Sequence, residues 1–231
     1  THINRLCEYV KEIKADIGLA FDGDADRLIA VDENGNVIDG DVIIGLFAIY
    51  LKEKGKLDNN LVVATVMSNM GLTLSCRNHG IDVIQTKVGD RYVLEKMLEK
   101  GSVLGGEQSG HVISLLDNTT GDGLVCALHI LSMLKTTGKT ASQLRSQITI
   151  LPQVLVNAKV QNQYKTDMLS DLEVLQLISA IEQKYSKQGR LLVRPSGTEP
   201  VVRVMIEGNN QDEMRVDATE LASLLESKFS I

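Results

Sequence analysis

The stretch Asp22-Gly23-Asp24-Ala25-Asp26-Arg27 places three carboxylates at alternating positions, with small residues between them and an arginine directly after. Apolar runs at residues 17–21 and 28–31 flank it, and both are typical of β-strands. We therefore predict that the acidic residues lie on a tight turn between two strands. Because three like charges this close repel one another, we expect a bound cation. A hard divalent ion with oxygen ligands, Mg²⁺, fits the set best.

Two other interpretations of this stretch compete with a magnesium site. The three aspartates and Glu33 also match acidic ligand positions of an EF-hand calcium loop, but Arg27 stands where that loop needs glycine, and the flanks resemble strands rather than helices. The acidic residues could also form a solvated turn without a ligand. Gly23 and Ala25 count against that alternative because they leave room beside the carboxylates.

Composition and charge limit the classes of function. The 231 residues are 43% hydrophobic and 23% charged, which fits one or two globular domains. A net charge of -6 and the absence of a Lys/Arg run argue against nucleic acid or an anionic membrane as the partner. No apolar stretch approaches the length of a membrane span. Cys7, Cys76 and Cys126 lie far apart without a C-x-x-C pair, so we predict reduced thiols and a cytoplasmic location.

The order of predicted elements divides the chain into an α/β part and an α+β part. Short apolar strands alternate with helices over residues 39–150, with Asp41 as the expected cap of the first of these helices. Residues 61–66 form a nearly continuous apolar run, which predicts a strand covered on both faces. From Pro152 the pattern changes to strands and two amphipathic helices, the first opened by a predicted capping box at Ser170 and Glu173.

A second motif, Arg194-Pro195-Ser196-Gly197-Thr198-Glu199-Pro200, is followed by Arg203 on the next predicted strand. Two guanidinium groups, two hydroxyls and backbone N–H groups around the glycine form a donor set suited to a phosphate. The flanking prolines stiffen the loop and so lower the ordering cost of binding. The alternative is an ordinary Pro/Gly turn with surface arginines.

A third motif, Gly105-Gly106-Glu107-Gln108-Ser109-Gly110-His111, follows a short predicted strand. Its four polar side chains stand between glycines and could hydrogen-bond the hydroxyls of a sugar. A polar loop that serves only as a connection remains an equal alternative for this motif on its own.

Together the three motifs resemble, in order and spacing, the metal, sugar-binding and phosphate-binding loops of the α-D-phosphohexomutases, over essentially the whole chain. The resemblance implies a phosphohexomutase-like α/β fold, with one three-layer α/β domain and a C-terminal α+β domain. Residues 1–38 would be the tail of domain 2 with the metal loop, residues 39–150 domain 3, and residues 151–231 domain 4. The sequence begins at Thr1 with residues typical of a domain interior, so we expect a longer parent protein.

The family isomerises a hexose phosphate between its 6- and 1-positions through an enzyme phosphoserine and a bisphosphorylated sugar. Residues 64–69 and the loop containing Gln108 are similar to the branch that interconverts glucosamine 6-phosphate and glucosamine 1-phosphate. Phosphomannomutase/phosphoglucomutase members look similar but more often carry Met in place of Gln108. A remnant that binds sugar phosphates without turnover is a further alternative. The family's Thr-Ala-Ser-His-Asn-Pro loop with the nucleophilic serine is absent from these 231 residues, so we expect the chain alone to be inactive.

The resemblance also implies roles for individual residues. Mg²⁺ would be held by Asp22, Asp24 and Asp26, while Arg27 would offset charge on the transferring phosphoryl group and Lys87 is a candidate for proton transfer. Substrate contacts would come from the second and third motifs, at Glu107, Ser109, His111, Arg194, Ser196, Gly197, Thr198 and Arg203. For Lys87 and His111 a merely structural role is about equally favoured. The expected partners are a hexose or hexosamine phosphate and the N-terminal domains of the parent.

Overall fold

The computed structural model describes residues 3–165, 167–186, 189–196 and 199–230. Its contacts divide the chain into two compact units, Thr1–Ile150 and Leu151–Ile231. The predicted boundary between the tail of domain 2 and domain 3, at residue 38, falls inside the first unit and stays a prediction. No helix within the described ranges combines the length and apolar character needed to cross a membrane.

The first unit contains six α-helices and seven strands among the residues described. The helices are α1 (Asn4–Ile13), α2 (Gly40–Glu53), α3 (Met70–Asn78), α4 (Asp90–Lys100), α5 (Gly123–Thr137) and α6 (Ala141–Arg145). The strands are β1 (Ile17–Phe21), β2 (Leu28–Asp32), β3 (Val37–Ile38), β4 (Leu61–Thr65), β5 (Asp82–Thr86), β6 (Leu104–Gly106) and β7 (Val112–Ser114).

A four-stranded sheet forms the centre of the first unit, in the order β5-β4-β6-β7. The first three strands are parallel and β7 is antiparallel to β6. Every residue of β4 is buried, which confirms the predicted strand with two covered faces. Val62 and Ala64 pack with α2 and α3, whereas Val63 faces Val93 and Met97 of α4 on the other side. Helices on both faces confirm the predicted three-layer α/β arrangement.

The acidic stretch connects two antiparallel strands, as predicted. β1 pairs with β2, with Phe21 opposite Leu28, and β3 completes a three-stranded sheet. The turn between β2 and β3 is held by Asp32, whose carboxylate accepts the backbone N–H groups of Asn34 and Asn36. Gly35 has φ +82° there, a conformation that favours glycine. Two well-formed turns therefore fix β2 at both ends.

Two predicted helix caps were wrong by one or two residues. Helix α2 is capped by Asp39, which accepts Val42 N–H, because the helix already begins at Gly40. Asp41 is instead fully buried, and its Oδ2 accepts the Asn69 N–H at 2.7 Å, so it fixes the start of α3. In the second unit the cap of α7 (Leu172–Tyr185) is Asp171 rather than Ser170, since the Asp171 carboxylate accepts two N–H groups of the first turn.

The second unit is an antiparallel sheet covered by two helices. Its strands are β8 (Gln153–Lys159), β9 (Arg190–Pro195) and β10 (Val201–Glu207), in the order β8-β10-β9, and its helices are α7 (Leu172–Tyr185) and α8 (Gln211–Phe229). Val202, Val204 and Ile206 of the central strand pack into one core with both helices. The predicted α+β architecture is therefore confirmed.

The three cysteines are free, and two are deeply buried. Burial raises the pKa of the Cys76 thiol to about 12, and burial together with nearby Asp122 and Asp117 does the same for Cys126. Both thiols therefore stay protonated and serve as small apolar groups in the core.

Candidate functional site

The three aspartates of the β1–β2 turn converge. One oxygen from each of Asp22, Asp24 and Asp26 lies within 4.8 Å of the others. The turn folds back on itself because Ala25 adopts a left-handed conformation, φ 59°, and Arg27 N–H donates to Asp22 Oδ1 at 3.2 Å. Carboxylate oxygens at this separation are a donor set that suits a hard cation.

The hydrogen bonding of the turn leaves carboxylate oxygens available to a cation. Asp24 is exposed, and no hydrogen bond to its carboxylate is formed by the described residues. Asp26 Oδ1 is buried and also lacks a hydrogen-bond partner within the described ranges, since Arg27 Nε lies 3.7 Å from it. A buried acceptor without a donor is costly unless something else neutralises it. These residues therefore fit a bound divalent cation.

The sugar-loop candidate is the turn that joins β6 to β7. Glu107 N–H donates to the His111 carbonyl at 2.9 Å, and Gly110 N–H donates to the Glu107 carbonyl at 3.0 Å. The Gly110 carbonyl then accepts the N–H of Leu28, the first residue of β2, at 3.1 Å. A backbone hydrogen bond thus joins this loop directly to the strand that follows the acidic turn.

A side-chain contact joins the same two loops. His111 Nδ1 lies 2.9 Å from Asp26 Oδ2, although the two residues are 85 positions apart in the sequence. On its other side the ring receives the Gly121 N–H at Nε2, at 3.2 Å. His111 is 3% exposed, so the imidazole ring is shielded from water, while the Asp26 side chain is 31% exposed.

Glu107 and Gln108 are each held by a neighbouring segment. Glu107 Oε1 accepts the N–H of Gly89 at 2.9 Å, where φ of +130° favours glycine. The Gln108 side chain hydrogen-bonds Asp39. Burial raises the pKa of Asp39, and the hydrogen bonds from Val42 N–H and Gln108 offset only part of this rise. A methionine at position 108 could not donate to Asp39, so Gln108 couples the loop to the start of α2.

A cavity of about 450 Å³ brings the acidic turn and the sugar-loop candidate together. Its lining consists of Arg27, Thr65, Met67, Val88, Glu107, Gln108 and Ser109. We assigned no role to Thr65, Met67 or Val88 from the sequence. Thr65 is the last residue of the buried strand β4, and Met67 lies two residues beyond it. A position at the carboxyl end of a parallel strand is the signal that could have identified them.

Lys87 is adjacent in the sequence to a residue that lines this cavity, but it is not part of the lining itself. It directly follows β5, and its side chain is exposed without a hydrogen bond to the described residues. Neighbouring Val88 does line the cavity. The predicted role of Lys87 in proton transfer stays a prediction.

The β2–β3 hairpin behind the acidic turn is anchored to α6. Glu33 accepts both the N–H and the hydroxyl of Ser142, at 2.9 and 2.5 Å, and Arg145 Nε donates to the Val37 carbonyl at 2.9 Å. Thr140 caps α6, and its side chain accepts the Gln143 N–H of the first turn. The Ser142 hydroxyl is therefore occupied by Glu33.

Replacing Glu33 with glutamine is expected to lower the free energy of unfolding by about 1 kcal/mol at neutral pH. Burial raises the pKa of Glu33, but hydrogen bonds from Ser142 and Thr140 outweigh it and lower the pKa from 4.5 to about 2. A lowered folded-state pKa stabilises the protein above the unfolded-state pKa, and this contribution disappears as the pH falls toward 2. Urea denaturation between pH 7 and pH 3 should show the wild-type advantage shrinking.

The matched control for this experiment is Glu8→Gln on the exposed side of α1. That substitution should change stability little and by the same amount at every pH. A Glu33→Gln effect that does not vary with pH would contradict the predicted role of the Glu33 charge.

The phosphate-loop candidate lies between β9 and β10 in the second unit. Arg194 and Arg203 are paired directly across the two strands, so both exposed guanidinium side chains leave the same face of the sheet. Ser196 is 9% exposed, and its hydroxyl accepts the Glu199 N–H at 3.2 Å. The predicted substrate residues Gly197 and Thr198 lie outside the described residues.

Lys165 is a cation of this loop that the sequence analysis missed. Its ammonium group donates to the backbone carbonyls of Ser196 at 2.5 Å and Glu199 at 2.6 Å, from a chain segment 31 to 34 positions earlier. It therefore ties both ends of the loop together and adds positive charge beside the two arginines. No local pattern around Lys165 pointed to this contact.

Models of one protein family match nearly the whole chain. The phosphoglucomutase/phosphomannomutase α/β/α domain II model matches residues 1–35, the α/β/α domain III model residues 39–150, and the C-terminal domain model residues 155–223. The phosphoglucosamine mutase of Ruminiclostridium cellulolyticum is 56% identical over 230 residues, which are 100% of this chain and 51% of the relative.

Solved structures of related proteins share the fold. A phosphoglucomutase/phosphomannomutase family protein from Burkholderia thailandensis has a TM-score of 0.76 at 22% identity, covering 98% of this chain and 50% of that one. Aspergillus fumigatus N-acetylphosphoglucosamine mutase, solved in complex with GlcNAc-6P and magnesium, has a TM-score of 0.74 at 21% identity, covering 96% and 52%.

The family assignment rests on the matched models and on the fold together. The chain spans about half the length of the curated relatives it matches. Three consecutive domain models match in the family's own order, and the acidic turn and sugar-loop candidate share one cavity. This chain belongs to the phosphoglucomutase/phosphomannomutase family of α-D-phosphohexomutases.

Proposed function

We propose that the chain supplies the metal-binding, sugar-binding and phosphate-binding parts of a phosphoglucosamine mutase, which interconverts glucosamine 6-phosphate and glucosamine 1-phosphate. One observation carries the proposal: Arg27, directly after the three converging aspartates, lines the same cavity as Glu107 and Ser109. A reacting phosphoryl group and a sugar ring could therefore occupy adjoining positions. The choice of amino sugar rests on the relatives at 53 to 57% identity.

In this proposal Mg²⁺ binds at Asp22, Asp24 and Asp26. The converging carboxylates support it, as does Asp26 Oδ1, which has no hydrogen-bond partner among the described residues. A structure of the same fold was solved with magnesium. When bound, the ion would neutralise negative charge on a phosphoryl group. Arg27, whose side chain is 47% exposed, would offset the rest of that charge.

The sugar and its second phosphate would be held by the other two loops. Glu107 and Ser109 would hydrogen-bond the sugar hydroxyls. The phosphate that is not reacting would bind to donors of the second unit. These donors are Arg194, Ser196, Gly197, Thr198 and Arg203. Lys165 would stabilise the conformation of their loop through its two backbone hydrogen bonds. The cross-strand pairing of Arg194 with Arg203, which places both side chains on one sheet face, supports this assignment.

The phosphoserine of the proposed reaction would come from another part of a longer protein. The 231 residues contain no Ser-His-Asn-Pro sequence, and the curated relatives are about twice as long as the matched region. Phosphoryl exchange needs that covalent carrier, so the N-terminal domains are the proposed intramolecular partner of this chain. Buried, protonated thiols support the proposed cytoplasmic location.

A chimera tests the proposed function. The N-terminal half of the Ruminiclostridium cellulolyticum mutase would be joined to this chain in place of the aligned residues. We expect the chimera to convert glucosamine 6-phosphate with a kcat/KM at least about tenfold above that for mannose 6-phosphate. The 231-residue chain alone should show no turnover. Arg194→Ala in the chimera should raise KM about tenfold or more, because it removes a charge-assisted phosphate contact.

Each result of the chimera experiment has a defined meaning. A preference for mannose 6-phosphate would move the protein to the phosphomannomutase/phosphoglucomutase branch. A folded chimera without turnover, beside an active parental mutase, would contradict the proposal that this chain supplies working loops. Turnover by the chain alone would contradict the need for an external phosphoserine.

A further inference from the structure

Arg203 and Glu199 form an ion pair within the phosphate-loop candidate. Arg203 Nη2 donates to Glu199 Oε2 at 3.1 Å, and the two side chains are 44% and 60% exposed. Arg194, which is paired with Arg203 across the two strands, has no carboxylate partner among the described residues. Of the two guanidinium groups in the proposed phosphate site, one is therefore already neutralised by a side chain of the loop itself.

The backbone of Glu199 is fixed, although its side chain is exposed. The Glu199 N–H donates to the Ser196 hydroxyl at 3.2 Å. Its carbonyl accepts the Val201 N–H at 2.8 Å and the Lys165 ammonium at 2.6 Å. The carboxylate can therefore leave Arg203 by side-chain rotation alone, without a change of the loop backbone. It would stay close to any ligand bound at Arg203.

A phosphate bound at Arg203 would compete with Glu199 for the guanidinium group. Carboxylate and phosphate oxygens accept hydrogen bonds from the same N–H donors of an arginine. The exposed ion pair between the two side chains is weak, so a phosphate can displace the carboxylate. Displacement would leave Glu199 without a cation and close to a second negative charge. A ligand with an ammonium group next to its phosphate would supply the missing cation.

We propose that Glu199 is a specificity-determining residue, which releases Arg203 to the phosphate of the ligand and binds an ammonium group on the neighbouring carbon. One ion pair within the protein is thus exchanged for two ion pairs with the ligand. Glucosamine 1-phosphate is such a ligand, since the carbon next to its phosphorylated carbon carries the amine. In glucosamine 6-phosphate the amine lies on the far side of the ring, out of reach. This inference rests on the proposed function, because it assumes that the loop binds sugar phosphates.

The charge of Glu199 has opposite effects on an amino sugar and on a neutral sugar. With a neutral hexose 1-phosphate, the displaced carboxylate repels the phosphate and gains no compensating contact. With glucosamine 1-phosphate, the same carboxylate attracts the ammonium group. A residue that only held Arg203 in place would change the affinity for both ligands by the same factor. The ratio of the two affinities therefore distinguishes recognition of the amine from support of the arginine.

Two sugar 1-phosphates that differ only in the group on carbon 2 test this inference. Glucosamine 1-phosphate and glucose 1-phosphate are titrated separately into the 231-residue chain at about pH 6.5, where the amine is protonated. The wild type should bind the amino sugar at least about threefold more tightly. Glu199→Gln should bind glucose 1-phosphate and inorganic phosphate about two- to fivefold more tightly than the wild type does. This variant should also lose the preference for the amino sugar.

Matched variants and ligands control for net charge and for the position of the amine. Glu220→Gln removes the same charge from an exposed position of α8 in the same unit, so it should leave the preference unchanged. Glu199→Asp keeps the charge on a shorter side chain and should retain part of the preference. Glucosamine 6-phosphate and glucose 6-phosphate should bind with nearly equal affinity, because their carbon 2 lies away from the bound phosphate.

Two-dimensional ¹H–¹⁵N NMR gives the affinities and locates the site, since bound ligand should shift the Arg203 Nε–H signal and the Glu199 amide signal. An unchanged preference in Glu199→Gln, or weaker binding of inorganic phosphate by that variant, would overturn the inference. Equal affinity of the wild type for the two 1-phosphates, with inorganic phosphate bound normally, would overturn it as well. Absence of inorganic phosphate binding by the wild type would contradict the proposed phosphate loop itself, and the inference with it.

Discussion

Asp24→Asn is expected to weaken Mg²⁺ binding by the 231-residue chain by about a hundredfold or more. The substitution removes one of three negative charges from a site whose carboxylate oxygens lie within 4.8 Å of one another. At the effective dielectric constant of a protein surface, one unit charge near a divalent ion contributes several kcal/mol before desolvation is subtracted. A net loss of about 3 kcal/mol corresponds to that factor.

Asp24 is the most informative of the three aspartates because it has the smallest structural role. Asp22 accepts the Arg27 N–H inside the turn, and Asp26 is bonded to His111. Changing either of them would disturb the turn as well as the charge. Asp24 is exposed and makes no hydrogen bond with the described residues, so its loss should leave the turn folded.

The matched control for Asp24→Asn is Asp16→Asn, an exposed aspartate just before β1. It makes the same change of net charge outside the turn and should leave the Mg²⁺ isotherm nearly unchanged. Isothermal titration calorimetry and NMR titration at fixed ionic strength would compare the two variants. Equal Mg²⁺ affinity of the wild type and Asp24→Asn would contradict the proposal that Mg²⁺ binds at these aspartates.

The elements on either side of the acidic turn could be predicted because their signals are local. Apolar runs bounded by turn residues gave both strands of the hairpin, and the continuous apolar run before Thr65 gave the buried strand β4. The three loops could be predicted from family motifs, because residue types and spacing can be recognised in the sequence without knowledge of any tertiary contact. Helix ends were less predictable, because Asp39 and Asp41 both fit a cap and only the fold distinguishes them.

The contacts that shape the candidate site were not predictable, because they join distant parts of the chain. His111 meets Asp26 over 85 residues, and Glu33 meets Ser142 over 109. Lys165 carries no motif, yet it holds the loop that contains Ser196. Sequence patterns indicate which residues face a core or a turn, but the choice of hydrogen-bond partner depends on tertiary packing. Most residues of the candidate site could therefore be predicted from the sequence, whereas their hydrogen-bond partners could not.

Gly110→Ala is expected to be among the most damaging single substitutions in the first unit, lowering its stability by about 3 to 5 kcal/mol. Gly110 has φ +97°, where a side chain is strained, and an added Cβ would lie 2.3 Å from the Leu28 carbonyl oxygen. Neither side can yield easily, because the Leu28 N–H is already bonded to the Gly110 carbonyl and Leu28 is fully buried. The sugar-loop candidate would be pushed away from the acidic turn, and the His111–Asp26 contact would be lost with it.

Two other glycines in the same unit separate the causes of this loss. Gly138 has φ +66° with open space around it, so Gly138→Ala should cost only the conformational strain, about 1 kcal/mol. Gly23 lies in the acidic turn with neither a positive φ nor a neighbour within 4 Å, so Gly23→Ala should be nearly neutral. Urea denaturation followed by circular dichroism would rank the three variants. If Gly110→Ala costs no more than Gly138→Ala, the two loops are not packed as tightly as the Leu28 contact requires, because a displaced loop would admit the methyl group without a clash.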